Sequence, residues 1–172
     1  MKLSVGALVA GSLFATHAFA QEVLPPDNKV STYGTIGYTY ADGGPGAQFG
    51  VITGRLGVKK GYFGLEGEAG VGVAGSEILG YRLHLDYEVA GYGIATVPVT
   101  NNFQLLGRIG YGHTQISVSG LSGYGYGNSV NYGAGGILSI DEHDHIRAEY
   151  TRYDFGNSGA VNGYSIAYVR KF

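Results

Sequence analysis

Three stretches carry residue types that could do chemistry. The run Asp141-Glu142-His143-Asp144-His145 sets two imidazoles among three carboxylates, a donor set that suits several divalent transition metals. A run of charge between two apolar segments is also what a solvated turn looks like, and no metal site is read from it. His113, with Thr114 and Ser117 close by, offers an imidazole and hydroxyls of the kind that can attack a lipid ester. No carboxylate is placed to orient the ring, so an interfacial histidine is the expectation. The repeat Gly123-Tyr124-Gly125-Tyr126-Gly127 could cradle phosphate only if a helix and a Lys-Ser/Thr pair followed it. Neither follows, and it reads as the tip of an aromatic loop. No catalytic, cofactor-binding or metal-ligating residue is expected from these stretches, and the protein is expected not to be an enzyme.

A fourth set is spread along the chain. Arg55, Glu66, Glu68, Arg108, Arg147 and Glu149 are three cations and three anions, and what they can do depends on whether the chain brings them together. The chain alternates by face with the period of a strand. Strands are expected at about Val30 to Ala41, Phe49 to Val58, Phe63 to Val73, Tyr81 to Val97, from Phe103 to just before Ile116, Val130 to Ile140, His145 to Tyr153 or Phe155, and Gly163 to Phe172. Ile116 to Ser129 is expected as a loop. In the fourth strand Tyr81, Leu83, Leu85, Tyr87 and Val89 are expected to face opposite to Arg82, His84, Asp86 and Glu88. Its length calls for protrusion or a bulge near Gly91 and Gly93. Counted from one end of each strand, the six charges share the polar parity and nearly one level.

A chain that ends inside a strand leaves a sheet edge at its terminus, and pairing it with the first strand removes that edge. The expected fold is all-β, an eight-stranded antiparallel up-and-down barrel. The other end of the chain bears on its location. Met1 to Ala20 has one Lys2, an apolar run from Val5, and Ala18-Phe19-Ala20 at its end, the pattern of a cleaved secretory signal. That run is shorter than the ~20 apolar residues of a membrane helix. Residues 21–29 are expected as a periplasmic lead-in and 30–172 as the barrel domain. Cysteine is absent, so disulfides do not hold this exported chain together. Without Lys2 the balance is 10 basic to 13 acidic residues, net −3 with His neutral, which excludes the electrostatic footprint of a nucleic-acid binder.

Alternation alone does not say which face meets lipid, since a soluble ligand-binding barrel hides its apolar parity inside. Here the apolar parity carries tyrosines and phenylalanines towards strand ends, as an interfacial girdle does, and the polar parity mixes glycine with charges of both signs. Ile36, Leu56, Leu65, Ile109, Leu138 and Ile146 are therefore expected to face lipid. Arg152 shares their side near one rim, where a cation could snorkel and meet lipopolysaccharide phosphates. The first, third, fifth and seventh connections are expected to face the outside. Inside a barrel of this size side chains fill the lumen, so the six charges are expected to knit across it as a plug.

The signal segment, the eight alternating strands, the run IRAEYTRYDFG and the ending IAYVRKF resemble the small outer-membrane barrels of the OmpA, OmpX and opacity-protein type, within the porin-like families of Gram-negative cell envelopes. The resemblance covers essentially the whole chain after the signal. It implies residence in the cell outer membrane, lipid and lipopolysaccharide as surroundings, and insertion by the outer-membrane assembly machinery. That machinery reads an aromatic-ended last strand, and the matching positions are Ile166, Tyr168 and Phe172; Arg170 stands where an aromatic is usual. No wall-binding domain is expected after the barrel, nor any cofactor, and the protein is expected to be a monomer. The leading functional expectation is a structural or surface-interaction role. A small low-conductance channel is the alternative, and a lipid-modifying barrel enzyme a further one.

Overall fold

Residues 28–45, 47–78, 81–118 and 124–172 are described by the structure, a computed structural model. The signal segment, most of the lead-in, and the tip of the fifth connection, including Gly123, lie outside the described residues. Period-two alternation runs through every strand, so each presents one face inward and one outward. The strands are β1 (Val30–Asp42), β2 (Gln48–Lys60), β3 (Phe63–Ala74), β4 (Tyr81–Pro98), β5 (Phe103–Val118), β6 (Tyr124–Ser139), β7 (Asp144–Asp154) and β8 (Ala160–Lys171). A short segment, Ser76–Ile78, extends β3 along β4. Every neighbour pair is antiparallel, consecutive strands pair throughout, and β1 pairs with β8 to close the sheet. This is an eight-stranded up-and-down barrel, with no free lateral edge among the described residues.

Closure is set in part by space. Gly57 and Gly110 face inward opposite Tyr33 and Tyr92. A Cβ on Gly57 would sit 2.2 Å from the Tyr33 ring, and one on Gly110 2.5 Å from the Tyr92 ring. The interior glycines are what allow two phenol rings to lie across a narrow lumen.

The two faces carry opposite chemistry. Ile36, Leu56, Leu65 and Ile109 point outward and are 62 to 73% exposed, while Thr53, Arg55, Glu66 and Glu68 point inward and are buried. Leu138 is also outward, at 47%, and Ile146 is half-buried on the same side. Exposed apolar residues around a charged interior are the reverse of a soluble barrel and suit a lipid environment. Tyr40, Tyr164 and Tyr150 form a cross-strand row on the outer surface, with Tyr150 and Tyr164 5.5 Å apart between centroids.

The two ends differ as well. At the end that holds residue 28 and Phe172, the connections are the turns at 61–62, 99–102 and 140–143, the first made by Gly61 at φ 61°. We call this the terminal end and the opposite one the loop end. Towards the loop end β4 reaches 18 residues and β5 and β6 16 each, more than the ~9–11 a span requires.

Two expectations are corrected. Ile116 to Ser129 is mostly not a loop: β5 runs on to Val118 and β6 begins at Tyr124, with Gly125, Tyr126, Gly127 and Asn128 paired to Ile116, Gln115, Thr114 and His113. Cross-strand pairing outweighs the turn propensity of alternating glycines. The bulge lies at Asp86, between Leu85 and Tyr87, and not near Gly91 and Gly93. One extra residue reverses the facing of everything beyond it. Leu85 is therefore buried inside with Ala41, Phe49 and Val51, whereas Tyr87 and Val89 face outward.

Leu65→Arg and Ile109→Arg should each destabilise the barrel in lipid vesicles by about 2–4 kcal/mol. Denaturant titration in vesicles of matched thickness measures this, and unchanged midpoints for both would reverse the assigned face.

Candidate functional site

The lumen is layered. Towards the terminal end lies an apolar cluster of Tyr33, Tyr92, Ile94, Leu106 and Val169; towards the loop end lies that of Ala41, Phe49, Val51 and Leu85. Between them sit Arg55, Glu66, Glu68, Arg108, Arg147 and Glu149, each with its side chain no more than 2% exposed.

Only Arg55 and Glu68 face each other directly across neighbouring strands, where they form an ion pair. Arg147 and Glu149 are neighbours on the inward face of β7, and the other contacts cross the lumen. Glu149 lies at the centre, 2.6 Å from Arg55, 2.7 Å from Arg108 and 2.6 Å from Arg147. Arg108 also reaches Glu68 at 3.0 Å, and Arg147 meets Glu66 at 2.5 and 3.1 Å. Planar guanidinium groups with several donors can bridge two carboxylates at once, which is how three cations and three anions make a continuous network.

Neutral side chains that the sequence does not single out add to it, although Arg55 Nη1 and Arg108 Nε stay without a hydrogen-bond partner. Tyr33 donates its hydroxyl to Glu66 at 2.7 Å and Tyr92 donates to Glu68 at 3.0 Å. Asn131 donates to the Tyr92 oxygen at 2.9 Å and accepts from Ser129 at 2.6 Å. Ser165 donates to Glu149 at 3.2 Å. The Arg108 guanidinium carbon lies 3.4 Å from the Tyr92 ring centroid, a cation–π contact in a desolvated setting. A seventh charged-type residue, Glu88, is buried on the inward face of β4. Its parity was readable from the sequence, but its height above the network was not.

The remaining candidates are dispersed. In 141–145, Asp141 accepts backbone N–H bonds from His143 and Asp144, both at 2.8 Å. Asp144 bonds on the outer surface to Tyr168 and, at 2.7 Å, to Arg170. His145 turns into the barrel and contacts Ser139 at 2.9 Å. The turn therefore divides its donors between two faces. His113 meets Asn128 at 2.7 Å and lies against Tyr126 and Tyr87; Ser117 donates instead to Asp86 at 2.8 Å, and Thr114 points inward. The histidine and the hydroxyls are not brought together.

Ile166 and Tyr168 face outward on β8 and Phe172 follows directly after its end; the three are 59, 39 and 77% exposed. Arg152 lies on the outer surface beside Asn162, which accepts from Tyr150 at 2.7 Å and from Arg152 at 3.4 Å.

No protein-family model matches the chain, and no curated protein sequence does. The fold does have solved counterparts. Ail of Yersinia pestis, the attachment invasion locus protein, solved in complex with the heparin analogue sucrose octasulfate, superposes with a TM-score of 0.60 at 17% identity over 85% of this chain and 99% of that one. The N-terminal β-barrel domain of Pseudomonas aeruginosa OprF gives 0.61 at 13%, over 86% and 99%. Neisserial surface protein A gives 0.64 at 10%, over 83% and 97%. The chain has the fold of the small eight-stranded outer-membrane barrels.

Glu149→Gln removes the charge shared by three guanidinium groups and should destabilise the folded barrel by about 3–5 kcal/mol, the cost of breaking a buried pair from one side. Removing both partners of one pair, Glu66→Leu with Arg147→Met, should cost less than either single change. Urea unfolding in lipid vesicles compares the four.

Proposed function

We propose that the chain resides in the cell outer membrane, with its terminal end in the periplasm and its loop end outside, as a structural or surface-interaction barrel that is closed at its waist. The observation that carries this reading is the ion-pair network, whose six side chains occupy the lumen between two apolar layers. Short turns at the terminal end and longer wall at the loop end match the usual orientation of bacterial barrels, and the solved barrels of the same fold support the location.

Ile166, Tyr168 and Phe172 form the outward aromatic and apolar edge of the last strand, and the outer-membrane assembly machinery is the partner this edge suits. The barrel works as a monomer in this reading, since closure leaves no lateral strand edge to pair. The described lysines, Lys29, Lys59, Lys60 and Lys171, lie at the terminal end, so the polysulfated ligand of Ail is not carried over. Arg152 is the cation best placed for lipopolysaccharide phosphate, at the outer level of the apolar band. Arg152→Ala should weaken lipopolysaccharide binding in matched detergent; equal binding would leave Arg152 as a rim residue held only by Asn162.

Single-channel recording tests the waist. The wild-type barrel should show at most small, intermittent conductance, and Arg108→Ser should raise it by leaving two cations to three anions and loosening the network. Large steady channels in the wild type, unchanged by Arg108→Ser and by Arg147→Ser, would overturn the closed waist and make the protein a diffusion channel.

A further inference from the structure

On the loop-end side of the network the lumen opens into a cavity of about 410 Å³, within the range that small-molecule sites occupy. Ala41, Phe49, Val51, Leu85, Tyr153 and Val161 give it a largely apolar wall. Among the described residues one acidic side chain lines it: Glu88, 8% exposed, with Oε1 lacking any hydrogen-bond partner. The carboxyl lies against Gly70. A Cβ on Gly70 would come within 2.8 Å of Oε1, so the missing side chain is what admits it.

Charge makes this carboxyl unusual. The six groups of the network balance three against three, and none of their ion pairs includes Glu88. Both Arg55 and Arg108 are already shared between Glu68 and Glu149. Glu88 is thus a surplus acid at the base of an apolar chamber. Burying a carboxylate there is costly without a donor or a cation, and the open side from which one could arrive is the chamber itself.

We propose that this chamber is a binding site for a small amphiphilic ammonium compound, a primary amine on a compact apolar body. The ammonium meets the Glu88 carboxylate, and the body fills the space between Phe49, Leu85 and Tyr153. An anionic ligand would face Glu88 and then Glu68 behind it, and a purely apolar one would leave the carboxyl unpaired. The inference goes beyond the closed-waist reading and does not depend on it, because the chamber lies to one side of the network.

The test uses protein isolated from outer membranes and reconstituted in lipid nanodiscs, with 2-phenylethylammonium as the probe and 2-phenylethanol as its neutral counterpart. Binding is read by titration calorimetry against empty nanodiscs. The ammonium should bind saturably and more tightly than the alcohol, and Glu88→Gln should weaken the ammonium about tenfold, as loss of a charged hydrogen bond does, while leaving the alcohol unchanged. Gly125→Phe should abolish both, since Gly125 lines the chamber and its Cβ would meet only the Ile116 carbonyl, at 3.8 Å. Should Glu88→Gln fail to give a heat-modifiable barrel on gels, Gly125→Phe decides alone. No saturable binding above empty nanodiscs, equal ammonium binding by wild type and Glu88→Gln, or binding unaffected by Gly125→Phe would each overturn the proposal.

Discussion

Ionised groups removed from water must find each other, and in this barrel that requirement acts on six strands' worth of register at once. Glu66 and Arg147 are 81 residues apart in sequence, yet a slip of one residue in β7 would turn Arg147 towards lipid and leave Glu66 without a cation, and one in β3 would leave three guanidinium groups to one carboxylate. The network is therefore a check on closure: all six side chains converge only when every intervening strand pair is correct. The apolar layers on either side lower the local dielectric, which strengthens the correct pairing and raises the cost of an incorrect one.

Interior packing follows from the same demand. Long guanidinium and carboxylate side chains, with Tyr33 and Tyr92 laid across them, need room that opposite residues must give up, and Gly57 and Gly110 give it. At these two positions glycine is tied to the size of what fills the lumen, whereas a Cβ on Gly67, Gly91 or Gly107, on the outward face, would meet nothing within 4 Å. The outer surface needs no such matching, because lipid conforms to whatever apolar shape it meets.

Fold and facing were legible in the sequence because a two-residue period is a local signal, and because Leu65 beside Glu66 and Ile109 beside Arg108 label the two faces unambiguously. The level of the six charges could be counted from strand ends for the same reason. What the sequence concealed was non-local. The bulge at Asp86 breaks the period without a glycine or proline to mark it, so Leu85 was grouped with Tyr87. The pairing of Tyr126 with Gln115 is set by a partner strand and not by the Gly-Tyr repeat that suggested a loop. Which oxygen each of Tyr33, Tyr92 and Asn131 reaches depends on strand tilt and on depth across the lumen, and alternation carries neither.

The bulge also bears on how such a chain can change over generations. In a strand of unbroken alternation, a single-codon insertion or deletion exchanges inside for outside along the rest of the element and is purged. At Asp86 the alternation has already been broken once, by a residue whose carboxylate is held by Ser117 and Gln115. Length variation in β4 can be absorbed at that point, with the wall beyond it shifting as a block while Tyr92 and Glu88 keep their places. The loop end can drift in size and shape under pressure from the surroundings while the waist stays fixed, so the two halves of the barrel are free to evolve at different rates.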